Sequence, residues 1–265
     1  MKTKIIIFIL LISILFMYFI IEIKCFKINN VVLYNDKLTE DINIVQITDF
    51  HDNRHINRKK LIEEIGNINP DFIFLTGDII DAKTEDTRYT LELIEELTNI
   101  NDNIYFVWGN HEHRNIKGEE FVNNLEKIGV NVLNNENVCV KLNKDEINIS
   151  GVDFYLDKSD YEKALQGLNE KNYTILLSHS PNRPLYYTRG LEDLILAGHT
   201  HGGQVRLPII GPIIAPGQGY FPKYDKGIFE LENGVMYIDS GLGNSVLPIR
   251  FLNRVQISNI KISPS

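Results

Sequence analysis

Cysteine is almost missing from this chain: 265 residues hold two, Cys25 and Cys139. That count leaves no disulfide framework and no thiolate metal site. Cations are also in deficit. Lys and Arg number 27 against 35 Asp and Glu, the net charge is −8, and no Lys/Arg cluster breaks the balance. An acidic chain without a basic stripe is a poor binder of nucleic acid, which disfavours a nuclease without excluding one. Internal repeats and low-complexity linkers are absent too, so neither a solenoid nor a string of modules is indicated.

What the chain does have begins with one long apolar run. Residues 5–21 carry only Ser13 and Tyr18 as partly polar members. As a helix the run would span about 25 Å, near the short end of a bilayer crossing. Small residues of the A-x-A type do not follow it; the chain exits through Glu22, Ile23, Lys24 and Cys25, which favours an uncleaved anchor over a signal peptide. Lys2 and Lys4 precede the run, and the positive-inside rule then sends the remainder of the chain to the extracytoplasmic side, although Lys24 and Lys27 stand on the other flank. Residues 1–24 are thus read as a membrane anchor and 28–262 as the functional domain. About 240 residues after an anchor suit one large α/β domain or two small ones.

Strand and helix patterns alternate along the first half of that domain. Residues 42–47, 72–75 and 104–107 read as strands, the latter two continuously apolar as in a sheet covered on both faces. Residues 58–65, 87–97 and 119–128 read as helices, the last ended by Gly129. The second half is richer in hairpins: 138–142 with 147–152, and 227–231 with 235–238 around Glu232-Asn233-Gly234. Between them lie a helix near 161–168 and strands at 174–177 and 194–196. Two mixed sheets packed together, with helices outside, satisfy both halves.

Histidine placement carries the chemistry. Asp49 and His51 follow the strand at 42–47; Asp78 follows 72–75 through Thr76-Gly77; Asn110 and His111 follow 104–107 through Trp108-Gly109. His179 follows 174–177, and His199 and His201 follow 194–196 through Ala197-Gly198. Ligands of α/β sheets gather at the carboxyl ends of strands. Asp49 with His51, and His199 with His201, are spaced i, i+2, which on extended backbone turns both side chains to one side. Carboxylate, imidazole and amide oxygen together suit Zn, Mn or Fe rather than Cu(I) or Ca. His55 and His113 read as solvated loop residues. Arg206, Arg250 and Arg254 are candidates to rim the site and fork a phosphate oxygen. The stretch 211–221, with apolar Ile213, Ile214, Tyr220 and Phe221, reads as a long loop able to serve as a substrate- or membrane-facing lid.

Asp49-Phe50-His51, Gly77-Asp78, Gly109-Asn110-His111-Glu112, Ser178-His179 and Gly198-His199-Thr200-His201 stand in the order of the calcineurin-like metallophosphoesterase superfamily, which the chain resembles from about residue 42 to 258. Gly202-Gly203-Gln204, Leu207-Pro208 and Gly241-Leu242-Gly243 further resemble a bacterial branch with membrane-anchored or exported members, some acting on phosphodiesters and some on UDP-sugar lipid pyrophosphates. Asn253-Arg254-Val255-Gln256 stands where that branch carries Pro-Glu. The resemblance implies an α/β, four-layer αββα sandwich after the N-terminal transmembrane helix. It implies two divalent ions (Mn, Zn or Fe), one held by Asp49, His51 and His201, the other by Asn110, His179 and His199, with Asp78 bridging. His111 would face the substrate as the catalytic imidazole. The activity implied is hydrolysis of phosphodiester or pyrophosphate bonds by a water activated between the ions. The expected substrates are a phosphodiester, a nucleotide-sugar lipid or a cell-envelope polymer. The rivals are a nuclease or phosphomonoesterase with the same site, or a non-catalytic metal-binding scaffold; the presence of His111 speaks against the last.

Overall fold

The computed structural model describes residues 2–244 and 248–265. Its first element is α1 (Lys2–Lys24), apolar on every side and exposed along most of its length. A helix without a polar face has no water-facing side, and among the described residues it alone is long and apolar enough to cross a membrane. Strand β1 (Lys27–Asn35) follows, then β2 (Ile42–Ile47), α2 (Arg58–Ile68), β3 (Phe72–Leu75), α3 (Arg88–Thr98) and β4 (Ile104–Phe106). The short α4 (Asn110–Arg114), α5 (Gly118–Lys127) and β5 (Asn131–Val132) complete the first half.

The second half contains β6 (Glu136–Leu142), β7 (Asp145–Val152), α6 (Lys158–Ala164), β8 (Tyr173–Ser178), α7 (Asn182–Tyr187) and β9 (Leu194–Ala197). Two small hairpins come next, β10 (Arg206–Leu207) with β11 (Gly211–Pro212) and β12 (Ile214–Ala215) with β13 (Gly219–Tyr220). They replace the structureless loop expected at 211–221. Strands β14 (Gly227–Glu230), β15 (Val235–Ile238) and β16 (Gln256–Pro264) close the chain.

The strands form two six-stranded sheets, ordered β1-β16-β2-β3-β4-β5 and β14-β15-β9-β8-β7-β6. In the first, β2 to β5 are parallel and β16 runs antiparallel to β2; in the second, β15, β9, β8 and β7 are parallel, flanked by antiparallel β14 and β6. Side-chain alternation builds the layers. On β3, Phe72 and Phe74 enter the core between the sheets, while Ile73 and Leu75 turn to the helical face. On β8, Ile175 and Leu177 face inward and Leu176 faces outward. Helices α2, α3 and α5 supply Leu61, Ile65, Leu93, Ile94, Phe121 and Leu125 to one outer core, and α6 supplies Tyr161 and Ala164 to the other. The result is the four-layer αββα sandwich. Buried Gln46 ties the sheets together, donating from Nε2 to Ala197 O and to Thr76 Oγ1, each at 2.9 Å. The carboxyl ends of β2, β3, β4, β8 and β9 then open onto one shared edge.

Strands β1 and β16 are absent from the sequence reading. They pair in parallel over nine residues, from Lys27↔Gln256 to Asn35↔Pro264.

Candidate metal centre

The loops leaving those strand ends bring three groups of candidate ligand atoms together, two of them facing Asp78 and the third made of His51, Asp81 and His111. Asp49, His51 and His201 form the first: His201 Nε2 lies 3.4 Å and His51 Nε2 3.9 Å from Asp49 Oδ1, and the two imidazole nitrogens are 3.3 Å apart. Asp78, His179 and His199 form the second, with His179 Nε2 3.1 Å from Asp78 Oδ2 and 3.1 Å from His199 Nδ1. Asp78 Oδ2 is also 3.8 Å from His51 Nε2, so this one oxygen faces both groups. The other, Oδ1, is taken by the backbone N–H of His111 at 2.7 Å.

The backbone that achieves this is not extended. Asp49, His51, Asp78, His199 and His201 all have positive φ, between 49° and 68°. Such a conformation is uncommon for non-glycine residues and clusters at functional sites. The i, i+2 pairs converge because the chain coils back on itself. The extended geometry expected for Asp49–His51 and His199–His201 is therefore corrected, while the convergence itself is observed. Glycine makes the close packing around these residues possible. A Cβ on Gly109 would collide with Asp78 Oδ1, and one on Gly198 would collide with Thr48 Oγ1 and crowd Asp49 Oδ2. Neither position leaves room for a side chain.

Surrounding groups orient the ligands and leave the inward atoms bare. His179 Nδ1–H donates to Thr76 O at 2.9 Å, which turns Nε2 toward Asp78. Asp49 Oδ2 accepts from His199 N and Thr48 Oγ1, at 2.9 and 3.0 Å. Asp49 Oδ1 and Asn110 Oδ1 are buried and have no hydrogen-bond partner. Buried polar atoms are normally satisfied, and a bound cation would satisfy these two oxygens at the edge of one polar centre. Charge points the same way. Burial disfavours the charged form of His179, yet the carboxylates of Asp78 and Asp49 hold its pKa up at about 9. Burial, reinforced by His179, pushes His199 down to about 3, and burial likewise lowers His201 well below the ordinary imidazole value. Two of the imidazoles, His199 and His201, are thus held neutral as metal donors must be, while the carboxylates hold the pKa of His51 and His179 above the ordinary imidazole value. The residues present fit divalent metal ions.

His111 stands beside this centre, its Nε2 3.9 Å from Asp78 Oδ2. Ala82 N–H donates to His111 Nδ1 at 3.0 Å, which places the proton of the neutral ring on Nε2. Asp81 Oδ2, 3.1 Å from the same Nδ1, is positioned to accept when the ring carries two protons.

Three functional residues are missing from the sequence reading. Asp81 sits between His111 and His51, and their imidazoles hold its carboxyl well below the usual carboxylate range. Its spacing of three residues from Asp78 is the available signal. Glu112, part of the Gly109-Asn110-His111-Glu112 motif, is buried and accepts backbone N–H groups from Asp78, Ile79, Ile80 and Gly109 at 2.7–3.1 Å. It pins the loop after β3 to the start of α4. Arg114 lines the cleft of about 270 Å³ over the centre, together with Asn110, His111, Phe154 and Pro216, and its guanidinium has no partner among the described residues.

The arginines named from sequence are engaged elsewhere. Arg250 is completely buried and donates to Ser240 O, Gly243 O and Asn253 O at 2.6–3.1 Å; burial lowers its pKa to about 10. It braces the turn behind the first ligand group and does not reach the cleft. Arg206 donates to Gly202 O at 2.9 Å and pairs with Asp225. Arg254 binds the carbonyls of Cys25 and Phe26. His55 and His113 are both exposed, as expected, although His113 lies in α4, stacks on Trp108 and bonds Asp153 Oδ1 at 2.5 Å.

Sequence comparison agrees with this geometry. Residues 42–203 match the family model described as calcineurin-like phosphoesterase. The uncharacterized metallophosphoesterase YkuE of Bacillus subtilis is 33% identical over 221 residues, covering 81% of this chain and 77% of the relative. A Danio rerio transmembrane protein with metallophosphoesterase domain is 27% identical over 255 residues, 88% of this chain but 56% of its own length. Among solved structures, a 5'-nucleotidase precursor from Thermus thermophilus superimposes with a TM-score of 0.51 at 12% identity, over 84% of this chain and 54% of that one, a likeness of fold. The chain belongs to the calcineurin-like phosphoesterase family and is a metallophosphoesterase, a hydrolase of phosphate esters.

Proposed function

We propose that this protein is a membrane-anchored phosphoesterase with two divalent ions, cleaving phosphodiester or pyrophosphate bonds in substrates presented at the membrane. The observation that carries the reading is Asp78 Oδ2, which faces Asp49, His51 and His201 on one side and His179 and His199 on the other. Asp49, His51 and His201 would hold one ion, Asn110, His179 and His199 the second, and Asp78 would be shared. When bound, such ions supply Lewis acidity toward the phosphoryl group and a nucleophile at neutral pH.

The chain's own groups supply the rest. The Ala82 amide keeps the proton of neutral His111 on Nε2, facing the cleft, where it donates to a phosphoryl oxygen or to the leaving group. Asp81 stabilises the ring when it becomes cationic. Arg114 offers a guanidinium to the non-reacting phosphate oxygens. Phe154, whose ring centroid lies 5.3 Å from that of His199 and 5.8 Å from that of His179, walls off one side of the cleft.

The membrane part of the reading is supported by α1, and by the printed name of the Danio rerio relative. Lys2 and Lys4 support an extracytoplasmic domain. In that orientation, protease added to intact protoplasts removes the catalytic domain; cleavage only after lysis would place the domain in the cytoplasm. Substrate class is tested by comparing kcat/KM for bis(p-nitrophenyl) phosphate and p-nitrophenyl phosphate at matched metal and pH. Arg114 gives the cleft a cation that the sequence did not place there, so the anchor supports a membrane-borne diester or pyrophosphate more strongly than charge does. A clear preference for the monoester would reject the proposed substrate class and leave the family assignment standing.

A further inference from the structure

We infer that the edge of the domain carrying Ile209, Ile210, Ile249 and Leu252 is a bilayer-docking surface, seated in the lipid interface so that the metal centre opens at head-group level. The inference deepens the proposed function and rests on its membrane anchor.

The first observation is how α1 joins the domain. It does not end in a free linker. Tyr18 packs on Phe251, with ring centroids 5.6 Å apart, and its hydroxyl accepts the backbone N–H of Leu252 at 2.8 Å. One turn later the buried carboxylate of Glu22 accepts Asn253 N–H at 2.7 Å, and Glu22 O accepts Val255 N–H at 2.9 Å. The last two turns of the helix are thus fixed alongside residues 251–255.

The second observation is length. The apolar run covers residues 5–21. From residue 18 onward it lies beside the domain, leaving residues 5–17 clear. Those contribute about 20 Å at 1.5 Å per residue, against a hydrocarbon core of about 30 Å. Even the whole run reaches only about 25 Å. A run this short is accommodated by thinning of the bilayer, by snorkelling of flanking residues such as Lys2 and Lys4, or by drawing the flanking protein into the interface. Because Tyr18 is bonded to Leu252, drawing the helix in draws the domain's edge with it.

The third observation is what that edge presents. Ile249 and Leu252 are exposed to 44% and 47% beside Phe251. Phe251 forms a bridge with Val205 and hydrogen bonds with Gln204 and Arg206, which joins this loop to the β10–β11 hairpin. At the hairpin's turn Ile209 is fully exposed and Ile210 is 60% exposed. Apolar side chains in water at such a tip, adjoining a membrane helix, match the make-up of interfacial anchors, and a tyrosine hydroxyl at the boundary fits the aromatic belt. The same edge reaches the metal centre. Asn253 Nδ2 donates to His201 O at 2.6 Å, and Gly203 packs so closely on Pro212 of the hairpin that a Cβ there would collide with it.

Depth-dependent fluorescence quenching tests this without requiring catalysis. Full-length protein with Cys25→Ser and Cys139→Ser receives a single new cysteine by Ile12→Cys, Ile210→Cys or Tyr34→Cys. Each variant carries an NBD label and is reconstituted in phosphatidylethanolamine–phosphatidylglycerol vesicles, with and without lipids brominated near the head group. Tyr34 is 70% exposed at the far end of β1 and serves as the solvent control. The Ile12 label reports insertion of α1 through deeply brominated lipids. The docking surface predicts about a twofold loss of emission at position 210 and none at position 34. Quenching at 12 without quenching at 210 overturns the docking surface and leaves the anchor intact. An unquenched but blue-shifted label at 210 assigns the edge to a second copy or another protein and overturns it as well. Absence of quenching at 12 removes the anchor, and the docking surface with it.

Discussion

At the scale of single residues, the centre combines donors whose outward atoms are occupied, such as His179 Nδ1 and Asp49 Oδ2, with bare oxygens at Asp49 Oδ1 and Asn110 Oδ1. Asp78 is the extreme case, since Oδ1 is fixed by the amide of His111 and Oδ2 faces both ligand groups. Asp78→Asn removes the charge shared by both and should therefore cost both ions, read as metal content after dialysis. His111→Ala should keep the metals and lower kcat by about 10²–10⁴-fold, the usual scale for a positioned acid or base. Equal metal loss in the two variants would erase the distinction drawn between them. The ligands are legible because His, Asp and Asn after apolar strands are conspicuous in a linear reading. Arg250 misleads such a reading for a physical reason: a guanidinium suits a phosphate and a cluster of backbone carbonyls equally well, and only the fold decides which it meets. Arg114 is hidden beside the His-rich motif, where its neighbours carry the stronger signal.

At the scale of elements, short parallel strands deliver loops that would be sterically forbidden without glycine. The loop after β3 and the start of α4 interlock, with Gly109 against Asp78 and Glu112 bonded to both segments. Gly109→Ala should displace Asp78, lower metal affinity at least about tenfold, and reduce activity accordingly, as positioning errors near 1 Å commonly do. Isothermal titration with Mn²⁺ measures this, and unchanged affinity would show that the loop yields without harm. Buried strands such as β3 and β8 are readable from continuous apolar runs, and α2, α3 and α5 from their apolar stripes. Strand β16 is not, because Asn259 and Lys261 interrupt Ile257, Ile260 and Ile262, and its partner β1 is more than 200 residues distant in sequence. Long-range pairing of this kind leaves little local pattern. The short hairpins β10–β11 and β12–β13 are hidden similarly behind the Gly and Pro content of 211–219.

At the scale of the whole molecule, two sheets joined face to face place five strand ends on one edge, and the apolar helix α1 is bolted beside that same edge through Tyr18, Glu22 and residues 251–255. The architecture is legible in outline because βαβ units followed by hairpins admit few layered solutions. The fixed attachment of α1 is not, since it depends on side chains that look ordinary in sequence. The central claim, a phosphoesterase whose seven ligands hold two divalent ions, is tested most directly by stripping the full-length protein of metal and titrating Mn²⁺ or Zn²⁺ back while following bis(p-nitrophenyl) phosphate hydrolysis. Activity should be absent in the stripped protein and rise to a plateau at two equivalents of metal per chain. Hydrolysis that persists without metal, or no hydrolysis with Mn²⁺, Zn²⁺ or Fe²⁺ at any stoichiometry, would contradict the account.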